Sequence, residues 1–318
     1  MIKKNNAKSF VTKYIIHIAF VIMLLGLSIF TDSFLTSKNL INVLRQATVV
    51  GVLSMGMTFV IISGGIDLSV GSTMALASCF AAAYSTTSSA LPLPVALMIG
   101  CLVGMLVGLV NGVVIAYLGV VPFIATLGMQ YAVRGMALVY TGGRPINALT
   151  TFYTNIGKGY VFGWLPVPVL ILAVTALVAW FFLSKTQYGR YIYAIGGNEK
   201  AALVSGLRVK LIKCSTYVIN GFTAALAGII LSARVAVGSP TAGEAYDLLA
   251  ITAVVVGGTS NTGGTGGIGA SIIGVLIVTV LNNGMDLLGI SGYYQKIVTG
   301  FVVLLAVIID RNNVNRNH

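Results

Sequence analysis

The chain has 318 residues, 57% of them hydrophobic and only 8% charged, with 19 Lys and Arg against 7 Asp and Glu, where soluble domains carry about 25% charged residues. So few charges cannot clothe a water-soluble fold, and a mean hydropathy of +0.96 means more apolar surface than an interior hides, so the solvent is mostly lipid. Three cysteines without regular spacing exclude a disulfide scaffold, and the net charge of +12 is scattered over short loops, which suits orientation in a membrane rather than nucleic acid.

A membrane span needs about 20 apolar residues to cross about 30 Å of hydrocarbon. Taken in chain order, the apolar runs predict about ten spans, near 14–30, 46–63, 68–86, 94–118, 121–140, 165–184, 214–236, 248–258, 268–287 and 294–309. The expected fold is therefore all-α, a polytopic transmembrane helical bundle forming a single domain over 1–318. Gly, Ser and Thr interrupt the third and fifth runs, which points to broken helices, and 248–258 is too short to cross alone. Runs leading into Gly-rich breaks at 64–71 and 257–267 suggest an inverted duplication of two halves.

Lys3, Lys4, Lys8 and Lys13 precede the first run and are expected to stay in the cytoplasm, with no small-residue cleavage site following them. Alternation from there puts 1–13, 185–213 and 310–318 inside. Lys185, Arg190, Lys200, Arg208, Lys210, Lys213, Arg311 and Arg316 then join the first four, so twelve of the 19 basic residues share one side and both termini are cytoplasmic. Trp164 and Trp180 bracket the sixth run as interfacial aromatics do.

Within the runs, Gly100, Gly104, Gly108 and Gly112 stand four apart, a seam for close helix packing. The segment Gly64-Gly65-Ile66-Asp67-Leu68-Ser69-Val70-Gly71 sets an acid and a hydroxyl between glycines. A carboxylate at membrane depth costs about 2.5 to 3.5 kcal/mol unless paired or wet. Asp67 is expected to cap the following helix by accepting backbone N–H groups, with contact to a solute as the alternative. Asn111, Asn220, Asn282 and Asn283 either bond between helices or line a polar path. Arg134 and Arg234 also fall inside runs; Glu244 and Asp247 are the expected ion-pair partners of Arg234, and none is obvious for Arg134.

The absences restrict the chemistry. There is no G-x-x-x-x-G-K-[ST], no H-E-x-x-H and no metal-spaced Cys/His cluster, His17 and His318 being the only histidines. The glycine-rich stretch 263–267 reads as a flexible turn. Neither an enzyme nor a bound metal is expected, and seven acids placed mostly in loops make an ion-coupled carrier hard to assemble. In the 185–213 loop, Asn198 is a plausible N-cap with Glu199 in the first turn and Gly206 as the stop, so a short capped helix outside the membrane is expected, with Gly197 at a tight turn before it. Such a helix is either a docking knob or a plain connector.

These residues resemble, over nearly the whole chain, the membrane permease subunit of bacterial ABC sugar importers of the ribose type. The matching stretches are Gly64-Gly-Ile-Asp-Leu-Ser-Val-Gly-Ser72, Pro122-Phe-Ile-Ala-Thr-Leu127, Gly189-Arg-Tyr-Ile-Tyr-Ala-Ile-Gly-Gly-Asn-Glu199, Ala253-Val-Val-Val-Gly-Gly-Thr-Ser260, Asn282-Asn-Gly284 and Tyr293-Tyr-Gln295. The resemblance implies a homodimer in the bacterial cytoplasmic (inner) membrane, an ATPase subunit on the cytoplasmic side and a sugar-binding protein on the other. It implies no cofactor in this chain, with ATP and Mg on the partner ATPase, and a monosaccharide substrate such as ribose or a related pentose or hexose. Gly196, Gly197, Asn198, Glu199, Ala202, Ser205 and Gly206 would form the coupling helix. Asp67, Ser69, Asn111, Asn220, Asn282 and Asn283 are the candidates for the sugar's path or its gate. A self-powered secondary carrier or facilitator is the competing class.

Overall fold

The computed structural model describes residue 18 and residues 20–314, so Lys3, Lys4, Lys8, Lys13 and Arg316 lie outside the described residues. The chain order is α1 (Phe20–Phe30), then α2 (Ser37–Ile62), α3 (Val70–Ala83), α4 (Leu93–Ala116), α5 (Pro122–Thr141) and α6 (Thr151–Lys158). A small antiparallel hairpin, β1 (Tyr160–Val161) with β2 (Leu165–Pro166), leads into α7 (Val167–Lys185), α8 (Gln187–Gly197), α9 (Glu199–Val204) and α10 (Val209–Val235). The chain continues through α11 (Tyr246–Val256) and α12 (Ile268–Leu287) to α13 (Gly292–Val314). By length and composition, α2, α4, α7, α10 and α12 can each cross a membrane.

Local chemistry sets most of the helix ends. Proline stands in the first turn of α4, α5 and α7, where its missing donor costs nothing. Gly142 ends α5 in the left-handed conformation. α2 begins at Ser37, nine residues before the start read from hydropathy, with the Thr36 hydroxyl capping it through the Asn39 N–H. Two of its polar residues are accommodated by other elements: Asn39 pairs with Asn283, and Arg45 donates to the Lys158 carbonyl. Hydropathy therefore underestimates this helix.

α3 has 14 residues and α11 has 11, roughly 21 and 17 Å at 1.5 Å per residue and short of a bilayer core. Each follows a non-helical stretch, 63–69 and 236–245. The second stretch runs antiparallel alongside α3, with Gly238 against Ala82 and Gly243 against the Gly71 carbonyl, and leads into α11. The eighth run is thus completed by its connector. The fifth is not broken: α5 is continuous, with Gly128 and Gly135 inside it facing open space.

Packing repeats between the halves. α3 packs on α4 and α5 as α11 packs on α12 and α13, α4 lies on α10 as α12 lies on α2, and α2 meets α10 in the middle. The stretch that corresponds to 63–69 is consequently 236–245, not 257–267. α2 is buried almost all round, whereas α4 and α7 turn most of their surface outward.

The glycines of α4 form the seam with α10. A Cβ on Gly104 would overlap the Gly221 carbonyl oxygen, one on Gly108 the Tyr217 carbonyl and one on Gly112 the Cys214 carbonyl at 2.7 Å; at Gly100 the neighbour is the Ala77 carbonyl of α3 at 3.0 Å. These obstacles are backbone, which cannot swing aside as a side chain can. Gly104→Ala is expected to cost about 1 to 3 kcal/mol, read as a lower melting temperature of the purified protein. Gly128→Ala, with nothing within 4 Å, should not lower it and can raise it slightly through helix propensity; equal melting temperatures for the two variants would refute the seam.

Candidate functional site

Two places bring together residues from distant parts of the chain. The first is a polar cluster at the α2–α3 break. Asp67 Oδ1 accepts from the Ser69 N–H at 2.9 Å and the Ser69 hydroxyl at 2.6 Å, and Oδ2 accepts from Asn220 Nδ2 on α10 at 3.0 Å. Asn111 Nδ2 on α4 donates to Ser69 Oγ at 2.8 Å, with Asp67 Oδ1 a longer 3.5 Å away. All four side chains are buried, at 1% exposure or less.

Asp67 thus accepts a backbone N–H, but that of Ser69, the residue before α3; its remaining partners are side chains from three helices' surroundings. Tyr217, one turn before Asn220, reaches the Ile66 carbonyl at 3.4 Å. The break is clamped from two sides, and the desolvated carboxylate is met by donors on both oxygens, as a buried charge requires. Asn282 and Asn283 stand elsewhere: Asn283 exchanges two hydrogen bonds with Asn39, each 2.9 Å, while Asn282 is half-buried.

The second place is the junction of α8 and α9. Thr186 caps α8 through the Gly189 N–H at 3.3 Å. Asn198 ends α8 and caps α9, its Oδ1 accepting from the Ala201 N–H at 3.0 Å. After Ser205, Gly206 turns left-handed at φ 82° while the Leu207 N–H returns to the Ala202 carbonyl at 3.2 Å, closing the helix. Lys213 at the start of α10 grips Glu199 at 2.7 Å. Ala202 is buried against α10's base, so α9 sits firmly while Leu203 and Val204 project, 62% and 89% exposed.

Gly197 is the last residue of α8, not a tight turn, and a Cβ there meets nothing within 4 Å. The crowded glycine is Gly196, where a Cβ would overlap the Ile62 carbonyl oxygen at the end of α2 and lie 2.6 Å from the Gly264 nitrogen. That carbonyl also accepts the Gly264 N–H at 2.9 Å. The stretch 263–267 is therefore packed rather than flexible. Gly263 fits against Gly64 and the Gly196 carbonyl, and Tyr193 donates to the Gly266 carbonyl at 2.8 Å. Partial burial raises the Tyr193 phenol above its ordinary value, which keeps it protonated and donating.

The two arginines that fall inside apolar runs exchange expectations. Arg134 donates to the Pro240 and Ala242 carbonyls at 2.6 and 2.8 Å, with Glu244 and Asp247 in electrostatic reach. No ion pair joins Arg234 to either acid; among the described residues the one ion pair is Lys213–Glu199. No three or more His, Cys, Asp or Glu side chains come together among the described residues.

Residues 39–307 match the family described as branched-chain amino acid transport system / permease component. The chain belongs to this permease family. It is 48% identical over 292 residues to the ribose import permease protein RbsC of Bacillus subtilis, covering 91% of this chain and 90% of that protein. Over 301 residues it is 45% identical to the Escherichia coli protein of the same name, with 92% of each covered. The xylose transport system permease protein XylH of Haemophilus influenzae is 37% identical over 361 residues, with 94% of this chain and 96% of that one covered. No solved structure matches the chain.

The permease is thus an integral membrane protein, and its two constellations are joined: Gly196 of α8 touches Ile62 at the end of α2, five residues before Asp67. Sequence reasoning missed Ile62 and Gly264, because a backbone carbonyl and a backbone N–H carry no residue-type signal. It also missed the Glu199–Lys213 pair, for which opposite charges on either side of the Gly206 turn were the available clue.

Proposed function

We propose that this permease is the membrane-spanning subunit of an ATP-binding cassette importer for ribose or a related monosaccharide. The observation that carries the reading is α9: a short helix, capped at both ends, held at its base and presenting Leu203 and Val204 to solvent. Exposed apolar residues on a rigid knob are what a protein partner requires. The partner is the ATPase subunit, which binds and hydrolyses ATP with Mg. Relatives named for ribose, xylose and allose support a sugar as the solute. A binding protein delivers it at the opposite end of the bundle, and a second copy of the permease completes the path.

On this reading the α9 end is cytoplasmic, as are both termini. ATPase closure moves α9; α8, lying backbone to backbone on Ile62 and Gly264, passes the displacement to the ends of α2 and of the 257–267 stretch. Asp67, Ser69, Asn111 and Asn220 hold the adjoining break in shape and serve the gate rather than touching sugar, as their burial suggests.

Two experiments test the reading. Glu199→Lys opposes the helix dipole by about 0.3 to 1 kcal/mol and sets two cations face to face where Lys213 now pairs; Leu203→Asp charges the knob. Both variants are expected to reach the membrane at near-normal abundance, with ATPase pull-down and sugar uptake reduced at least about tenfold; wild-type pull-down and uptake would sink the coupling assignment, as would sugar import by the permease alone in liposomes. Cysteines placed at Asn198 and Asn155 should label only from the cytoplasm and only from outside, respectively. Labelling of Asn198 from outside would reverse the proposed sidedness.

A further inference from the structure

The end of the bundle that carries α6 gathers positive charge without neutralising it. Arg45 of α2 donates from Nη2 to the Lys158 carbonyl at 3.1 Å and stacks its guanidinium 4.8 Å from the centre of the Tyr160 ring. Its Nε is buried and without a partner. Arg234, in the last turn of α10, has its backbone pressed under Gly157 of α6 and lies close enough to Arg45 for the two charges to repel. Lys158, in the last turn of α6, is exposed beside them. Among the described residues no acid lies within 4 Å of any of the three, and Glu244 and Asp247 act on Arg134. Tyr246 is the other ionisable group facing Arg234, and as a phenol it supplies no counter-charge at neutral pH.

We propose that Arg45, Arg234 and Lys158 form a binding site for the phosphate of an anionic phospholipid. Two neighbouring guanidinium groups, of which Arg45 gives Nη2 to a carbonyl and Arg234 shows no side-chain hydrogen bond among the described residues, suit a phosphodiester, which accepts in the planar, forked geometry that arginine offers. The surroundings select lipid over a soluble anion. Tyr160 packs under Arg45, Phe152, Phe162 and Trp164 are exposed on the same 151–166 segment, and Trp164 leads directly into α7, a helix long and apolar enough to cross a membrane whose Leu170, Val174, Leu177 and Phe181 are exposed. Aromatic side chains at the end of a lipid-facing helix mark the headgroup level. The cations therefore sit at the depth of the phosphates. Lipid binding at this end of the bundle is independent of which solute the permease carries.

The test uses the full-length permease in detergent, offered phosphatidylglycerol and phosphatidylcholine in equal amounts, with retained lipid counted by native mass spectrometry. The wild type is expected to retain phosphatidylglycerol at least about fivefold over phosphatidylcholine, the preference that a single lipid-facing cation already provides. Arg234→Gln removes no hydrogen bond or ion pair seen among the described residues, so it should fold with an unchanged melting temperature and show that preference reduced several-fold, and Arg45→Gln/Arg234→Gln should reduce it further. Excess inorganic phosphate is expected to leave the lipid bound. Parity of the two lipids on the wild type, an undiminished preference in Arg234→Gln, or displacement of the lipid by inorganic phosphate would each overturn the proposal.

Discussion

Asp67→Leu is expected to remove the folded permease from the membrane, and Asp67→Asn to keep it together with most of its transport. In the native cluster the carboxylate receives the Ser69 N–H, the Ser69 hydroxyl and the Asn220 amide. Leucine leaves all three donors buried and unpaired, at about 1 to 3 kcal/mol each, and that total rivals the about 5 to 15 kcal/mol by which a typical protein is stable. Asparagine differs in kind. Its Oδ1 can keep both Ser69 contacts, and its Nδ2 then faces Asn220, whose Oδ1 has no partner in the native protein. A half-turn of the Asn220 amide converts the lost acceptor into a new one. The measurement is the monodisperse peak of detergent-solubilised protein, alongside uptake of labelled ribose. A Leu variant of normal abundance that transports nothing would move Asp67 from the scaffold to the solute path.

Gly196→Val is expected to abolish uptake, and even Gly196→Ala to reduce it severely, because no side chain fits between α8 and the Ile62 carbonyl. The obstacle is the end of α2 together with Gly264, whose mutual hydrogen bond at 2.9 Å would have to break or shift. Gly197→Ala is the matched control, one residue along the same helix with open space around it, and should transport normally with a slightly stabilised α8. Uptake and ATPase pull-down are measured together. Loss of uptake with pull-down retained in Gly196→Ala locates the damage in transmission from α9 to the breaks. Equal loss in both variants would mean that the glycines serve the docking contact itself, and the transmission route through Ile62 and Gly264 would be wrong.

Most of what could be read ahead of the structure depended on neighbours in the chain. The membrane as solvent follows from 57% hydrophobic and 8% charged residues, and the α9 caps follow from Asn198 and Gly206, each acting within one helical turn. The α4 seam was equally readable, since a four-residue spacing of glycines defines a helix face whatever lies opposite. Other readings failed where the partner was remote or was backbone. Asn111 and Asn220 stand 44 and 153 residues from Asp67, and no periodicity links them; Asn283 differs from them only in the helix it meets, and that helix supplies Asn39. Arg134 found carbonyls of Pro240 and Ala242, acceptors that every residue possesses and no sequence distinguishes. Glu244 and Asp247, ten and thirteen residues after Arg234 in the chain, went to Arg134 because the 236–245 stretch folds back along α3 and α5. Likewise the 263–267 glycines looked mobile until Ile62, Gly64 and Gly196 closed around them. Hydrophobic burial and local hydrogen bonding are short-range along the chain, so composition and spacing express them; the pairing of polar groups inside the membrane is settled only when helices from both halves meet, because each such group takes whichever donor or acceptor the packing brings within about 3 Å.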